Sequence, residues 1–110
     1  MLVIDIPEGE LLQEIRQSVR EKGITGAAVV SVIGAADSFT ISTMPAHDAT
    51  KDVLTDYAAP AEMSGTGEVI DGEPHLHVVM ALEGDRAVSG HLHRAQIGTH
   101  FARVYLLPAP

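Results

Sequence analysis

Only one stretch of this chain repeats its apolar residues at helical spacing, and that limits its fold more than any other feature. Leu11, Leu12, Ile15 and Val19 fall on one face, while Glu14, Arg16, Gln17, Arg20 and Glu21 fill the other. Pro7 to Glu10 reads as a helix start, with Glu8 and Glu10 placed near the positive end of the dipole. Lys22 and Gly23 read as its end. The spacing predicts an amphipathic helix over residues 8–22. The rest must be strand and turn. Leu2-Val3-Ile4 with Ile6 reads as a first strand. The run Ala27 to Ala36, small and β-branched, predicts a strand buried on both faces. Phe39 to Ser42 alternates as the next strand, and residues 53–70 hold one or two more. Asp71-Gly72 is the strongest hairpin signal, leading into a strand over 74–82. A turn near Gly84-Asp85 leads into 87–97, and the last strand runs from His100 to Leu107. One helix on a mostly antiparallel sheet of about seven strands, joined mainly by hairpins, is an α+β domain over 1–110.

The composition narrows function by exclusion. Of the 110 residues, 45% are apolar, enough for one core. Seven Lys and Arg face fifteen Asp and Glu, a net charge of −8, which argues against direct nucleic-acid binding and against an anionic membrane surface. An aromatic share of 4% leaves little with which to stack bases. The absence of cysteine removes disulfides, thiol nucleophiles and Cys-ligated zinc, and fits a reducing cytoplasm. The N-terminus carries no basic, signal-like region. The longest apolar stretch, Ile24 to Ala36, is broken by Thr25, Gly26 and Ser31 and is too short to span a bilayer. A cytoplasmic protein is therefore expected.

Six histidines are present, and four form two matching pairs, Pro74-His75-Leu76-His77 and Gly90-His91-Leu92-His93. On a strand, residues two apart share a face, about 6.6–6.8 Å apart. An H-x-H strand pair thus aims both imidazoles to one side, a common way to hold a transition metal. Whether the pairs meet depends on register. A two-residue Gly84-Asp85 loop pairs Glu83 with Arg86 and scrambles the polar and apolar faces. A three-residue loop pairs Leu82 with Arg86. His77 then lies opposite His91, and His75 opposite His93, while Leu76, Val78, Met80 and Leu82 share the other face with Val88 and Leu92. Patterning outranks turn preference, because a one-residue slip turns every side chain over. The second register is therefore expected, with four histidines on one patch. Three of them plus water would form an open, zinc-type site.

Other chemistry has weaker support. A lone surface H-x-H is usually solvated; it is the second pair that points to a metal. His47 sits in a polar loop and reads as solvated, and His100, at a strand start, as structural. Glu68, Asp71 and Glu73 read as solvated turn acids, although any of them could orient a ligand imidazole. Ser64-Gly65-Thr66-Gly67 matches no phosphate loop, and its glycines mark a bulge or a close backbone approach. Ser31 lacks the glycine of a nucleophile elbow.

The chain as a whole resembles the plants-and-prokaryotes-conserved (PPC) domain. The resemblance is carried by Gly23 to Ala35, Ser64-Gly65-Thr66-Gly67-Glu68-Val69, Asp71-Gly72-Glu73-Pro74-His75-Leu76-His77 and Gly90-His91-Leu92, in that family's order and spacing. It implies a stand-alone prokaryotic domain that assembles as a homotrimer. Some prokaryotic members hold a metal through histidines, and by motif the ligands here would be His75, His77 and His91. His93 falls where the family commonly has an apolar residue, and Arg103 where it often has Glu. In plants the domain accompanies an AT-hook, and prokaryotic members are often labelled DNA-binding by that association. This chain has no Arg-Gly-Arg-Pro hook. Where plant members carry a partner-binding Gly-Arg-Phe-Glu-Ile-Leu, it reads Tyr57-Ala58-Ala59-Pro60-Ala61-Glu62-Met63.

Three functions follow as expectations. The first is a homotrimer binding a divalent, zinc-like ion and supporting metal-assisted chemistry on a small molecule. The second is a non-catalytic, DNA-associated or protein-interaction regulatory module. The third is a metal-free enzyme using the histidines as acid and base.

Overall fold

A computed structural model describes all residues, 1–110. Nine strands form one antiparallel sheet around a single helix. In chain order the elements are β1 (Leu2–Ile6), β2 (Gly9–Glu10), α1 (Leu11–Glu21), β3 (Ala27–Ala36), β4 (Ser38–Thr43), β5 (Val53–Tyr57), β6 (Ala61–Ile70), β7 (Glu73–Leu82), β8 (Arg86–Ile97) and β9 (Ala102–Pro108). The strands lie side by side in the order β1-β9-β3-β6-β7-β8-β4-β5, with β2 added to β8. No helix is long and apolar enough to cross a membrane.

The helix is shorter than its periodicity predicts. Gly9 and Glu10 are extended and pair with Ile97 and Gln96. Glu10 caps the helix: its carboxylate accepts from the Leu12 and Gln13 amides at 3.1 and 3.0 Å. The same carboxylate accepts from the Ala95 amide at 3.0 Å, tying the helix start to β8. Gly23, in the left-handed region at φ 68°, ends the helix as expected.

The buried stripe Leu11, Leu12, Ile15 and Val19 packs on one face of the sheet. There it meets one continuous core with Ile4, Ile6, Val29, Val32, Leu76, Val78, Met80, Leu92 and Ile97 among its members. The molecule is only 18 Å thick, one sheet plus one helix. That thinness corrects the reading of β3 as buried on both faces. Val29 and Val32 are core, but within the single chain Val30 and Ile33, on the other face, are 45% and 39% exposed. Seven expected strands become nine because β2 is built from the expected helix start and residues 53–70 hold two strands.

Candidate functional site

The site begins with the β7–β8 hairpin. Leu82 pairs with Arg86, leaving a three-residue loop in which Gly84 (φ 82°) and Asp85 (φ 59°) take left-handed conformations. Leu76, Val78, Met80, Leu82 and Leu92 are buried, so the apolar face fixes the register as the pattern predicts. His77 lies directly opposite His91. His75 and His77 are exposed on the open face, while His91 is half-buried.

The expected pairing of His75 with His93 is not made. The β7–β8 ladder ends at His77–His91. Beyond it, β8 bulges against β4: Ile41 pairs with Leu92 and Thr40 with Arg94, so His93 is the unpaired extra residue. Leu92 and Ala95 both remain core.

His91 is the hub of the cluster. The ring centroids of His93, His77 and His75 lie 5.0, 5.4 and 6.3 Å from its own. Burial lowers the pKa of His91 first, and the neighbouring imidazoles of His93, His77 and His75 lower it further, against an opposing pull from Asp52. A depressed pKa keeps the ring neutral near pH 7, the protonation state a metal or a proton acceptor requires. His93 Nε2 lies 2.7 Å from the hydroxyl of Ser42, a buried residue of β4.

Close backbone approaches shape the surroundings. A side chain at Gly67 would collide with the carbonyl oxygen of His75, and one at Gly90 with that of Ser42. The glycines that the sequence marked in Ser64-Gly65-Thr66-Gly67 thus let β6 lie close against the histidine strand. Two recesses flank His77. One is lined by Thr66, Gly67, Glu68 and His75; the other by Thr43, Met44, Asp52 and His91.

Of the remaining candidates only Glu68 stays beside this cluster. Glu68 is the cross-strand partner of His75. Glu73 is paired with Arg16 at 2.7 Å, and Asp71 sits in its turn at φ 53°. His47 is exposed in its loop as expected, whereas His100 is exposed and lies before β9, not within it. Arg103 bonds Asp5 at 2.6 Å and lies over the Phe101 ring. Ser42 and Asp52 are the site residues that sequence reading missed. Their contacts depend on β4–β8 pairing across about fifty residues, which leaves no local signal.

The patch gathers imidazoles, a residue type that ligates divalent transition metals, on one backbone-fixed surface. Two imidazoles on one zinc hold their ring centroids roughly 5 Å apart, and His77 and His75 stand 5.4 and 6.3 Å from His91. No three side chains converge as a finished ligand set in these rotamers.

A family model, the Plants and Prokaryotes Conserved (PCC) domain, matches residues 1–108. No curated protein matches the chain. Among solved structures, a metal-containing protein from Archaeoglobus fulgidus is 27% identical with a TM-score of 0.83, over 97% of this chain and 77% of that one. A plant- and prokaryote-conserved (PPC) protein from Pyrococcus horikoshii is 25% identical with a TM-score of 0.80, over 98% of this chain and 79% of that one. A protein from Ralstonia eutropha JMP134, whose name assigns DNA binding only provisionally, is 21% identical with a TM-score of 0.84, over 98% and 77%. At that identity the likeness speaks for the fold alone.

Proposed function

The chain belongs to the Plants and Prokaryotes Conserved (PCC) domain family, the PPC family its motifs resemble, and from that premise we propose that it binds a divalent, zinc-like ion through His75, His77 and His91. The observation that carries this reading is the hub geometry: His91 is half-buried, held neutral, and faced by His77 across the hairpin at 5.4 Å between ring centroids. The metal-containing relative from Archaeoglobus fulgidus supports it. An ion held there would supply Lewis acidity toward a substrate oxygen. The chain's own part is to place two H-x-H pairs on rigid strands and to leave a recess on each side of His77 for a small molecule. Metal analysis of untagged protein tests the reading. About one zinc-like ion per chain, lost in His77→Ala, is the expected result. A folded wild-type protein that takes up no divalent ion from stoichiometric zinc refutes it.

Assembly as a homotrimer is part of the same proposal. The open sheet face carries Val30, Ile33 and Val79, each 39–47% exposed, next to Ser64, Thr66 and Ser89. Apolar side chains on an uncovered sheet favour burial against another copy.

A DNA-associated module is the second reading, carried by the family's association with DNA-binding partners. Charge opposes it: bases number seven against fifteen acids, and Arg16 and Arg103 are tied to Glu73 and Asp5. Retention on DNA at low salt that falls steeply as salt rises would favour that reading; flow-through at low salt would end it.

A further inference from the structure

We infer that the two margins of the sheet join copies of this chain. β5 of one copy pairs antiparallel with β1 of the next, Val3 opposite Asp56, and three such joints close a ring. This rests on the homotrimer reading and assigns the strands that make its joints.

The two margins are built alike. β1 and β5 stand at opposite ends of the sheet, with no strand along the outer side of either. Each is five residues long, Leu2–Ile6 and Val53–Tyr57. An open strand edge is a template for another strand, and proteins commonly block it with Lys, Pro or a bulge. Neither span holds Lys or Pro, and each pairs with its one neighbour without a register shift. Both carry apolar side chains into solvent: Val3 is 48%, Val53 49% and Leu54 57% exposed. The strand directions also agree. The path from β1 to β5 crosses seven antiparallel pairings, so the two strands run in opposite directions. Setting β5 of one copy beside β1 of another, with both helices on the same side, therefore continues the antiparallel order of the sheet.

Polarity and charge select one register. Ile4 and Ile6 are buried on the helix side, so Val3 and Asp5 lie on the open face. Tyr57 stacks on the buried Phe39, which puts Val53, Thr55 and Tyr57 on the helix side and Leu54 and Asp56 on the open face. A slip by one residue would set open-face residues against helix-side ones, which leaves only slips by two. With the strands fully overlapped, Leu2 faces Tyr57, Val3 faces Asp56, Ile4 faces Thr55, Asp5 faces Leu54 and Ile6 faces Val53. A slip by two in one direction sets Asp5 against Asp52, and in the other against Asp56. Like charges directly opposite are destabilising. In the full overlap neither acid meets another, and each has a partner in its own chain: Arg103 donates to Asp5, and Thr40 to Asp56. A joint between unlike edges runs head to tail, and such joints close into rings or run on as filaments. A homotrimer is the closed case.

The chain has no cysteine, so an introduced pair reports on one contact alone. Three full-length double variants test the joint. Val3→Cys/Asp56→Cys and Asp5→Cys/Leu54→Cys match the register, and Val3→Cys/Leu54→Cys is the slipped control. Each is oxidised and run on a non-reducing gel, and the reduced protein and wild type are sized by light scattering. A disulfide needs Cα atoms roughly 4.4–6.8 Å apart. Directly opposed residues meet that limit, whereas diagonal neighbours, at about 7–8 Å, do not. The expected result is that the matched pairs form covalent species up to the trimer and none larger, at least about tenfold faster than the slipped pair. Should Val3→Cys/Asp56→Cys fold poorly, Asp5→Cys/Leu54→Cys carries the same comparison, because losing the exposed Asp5–Arg103 bond costs little. A trimer by light scattering with no covalent trimer from either matched pair overturns the edge joint and leaves the homotrimer standing. Equal rates in the slipped pair overturn the register, and covalent species beyond the trimer overturn the closed ring. A wild-type monomer overturns the homotrimer reading and this inference together.

Discussion

Alanine at Gly67 sets two physical arguments against each other. Removing a strand glycine should stabilise the chain by about 0.5–1 kcal/mol, because glycine loses the most backbone entropy on folding. The structure gives the opposite sign. A Cβ at Gly67 would overlap the His75 carbonyl oxygen and lie 3.0 Å from the Leu76 Cα. Gly67 pairs with Leu76, so neither neighbour is a side chain that can swing away. To admit the methyl, β6 and β7 must separate locally. Two weakened ladder hydrogen bonds cost about 1 kcal/mol each. Overpacking adds about 1–3 kcal/mol. After the entropic gain, Gly67→Ala should lose about 2–4.5 kcal/mol, or roughly 8–36 °C in Tm at about 4–8 °C per kcal/mol for a domain of this size. Gly26→Ala is the control. Its added methyl would meet only Ala109 Cβ at 3.6 Å and Val69 O at 3.8 Å. It should be neutral or stabilise by up to about 1 kcal/mol. Urea unfolding of both variants in chelator, at one pH, measures the difference. If Gly67→Ala is as stable as Gly26→Ala, the close approach of β6 to the histidine strand is not a tight constraint and the reasoning fails.

Further expectations follow from the same contacts. Glu10→Ala removes the acceptor of three backbone amides, at 3.0–3.1 Å; it should cost about 1–3 kcal/mol in urea unfolding, and an unchanged midpoint would refute the capping role. In metal-free protein, the folded pKa of His91 lies below its ordinary 6.5, chiefly through burial. The unfolded chain then binds more protons, so the stability is present above about pH 6.5 and is lost as pH falls through the lowered value. His91→Asn should flatten that acid-side loss, and an identical pH profile in the variant would count against the neutral hub. Wild type should elute by light scattering at three times the 11.6 kDa chain, and Val79→Lys on the open face should reduce it toward one; a wild-type monomer would refute the assembly proposal.

What could be read from the sequence was what the strand period governs. The apolar face of Leu76, Val78, Met80 and Leu82 chose the three-residue loop over the stronger local turn, and so brought His77 opposite His91. Glu10 shows the limit of helical periodicity. Its acidic placement pointed to a helix start, but its bond to the Ala95 amide joins residues 85 positions apart. That contact pulled Gly9 and Glu10 into a strand. The run Ala27–Ala36 looked buried on both faces because its residues are small and apolar, and apolar character alone does not say whether a second layer exists. Ser42 and Asp52 gave no signal, since the β4–β8 contact that brings them to His91 is invisible in either segment. The bulge at His93 is equally silent: local sequence fixes neither its position nor its partner.

The histidine hairpin occupies the interior of the sheet, with β6 on one side and β4 on the other, while β1 and β5 lie at its two margins. Fraying starts at such margins, so amide protons of β7 and β8 should be among the last to exchange with deuterium. The loop between β4 and β5, which supplies Met44 and Asp52 to one recess, is anchored to the peripheral part of the sheet. Changes there can alter what reaches the imidazoles while the strands that carry them keep their shape.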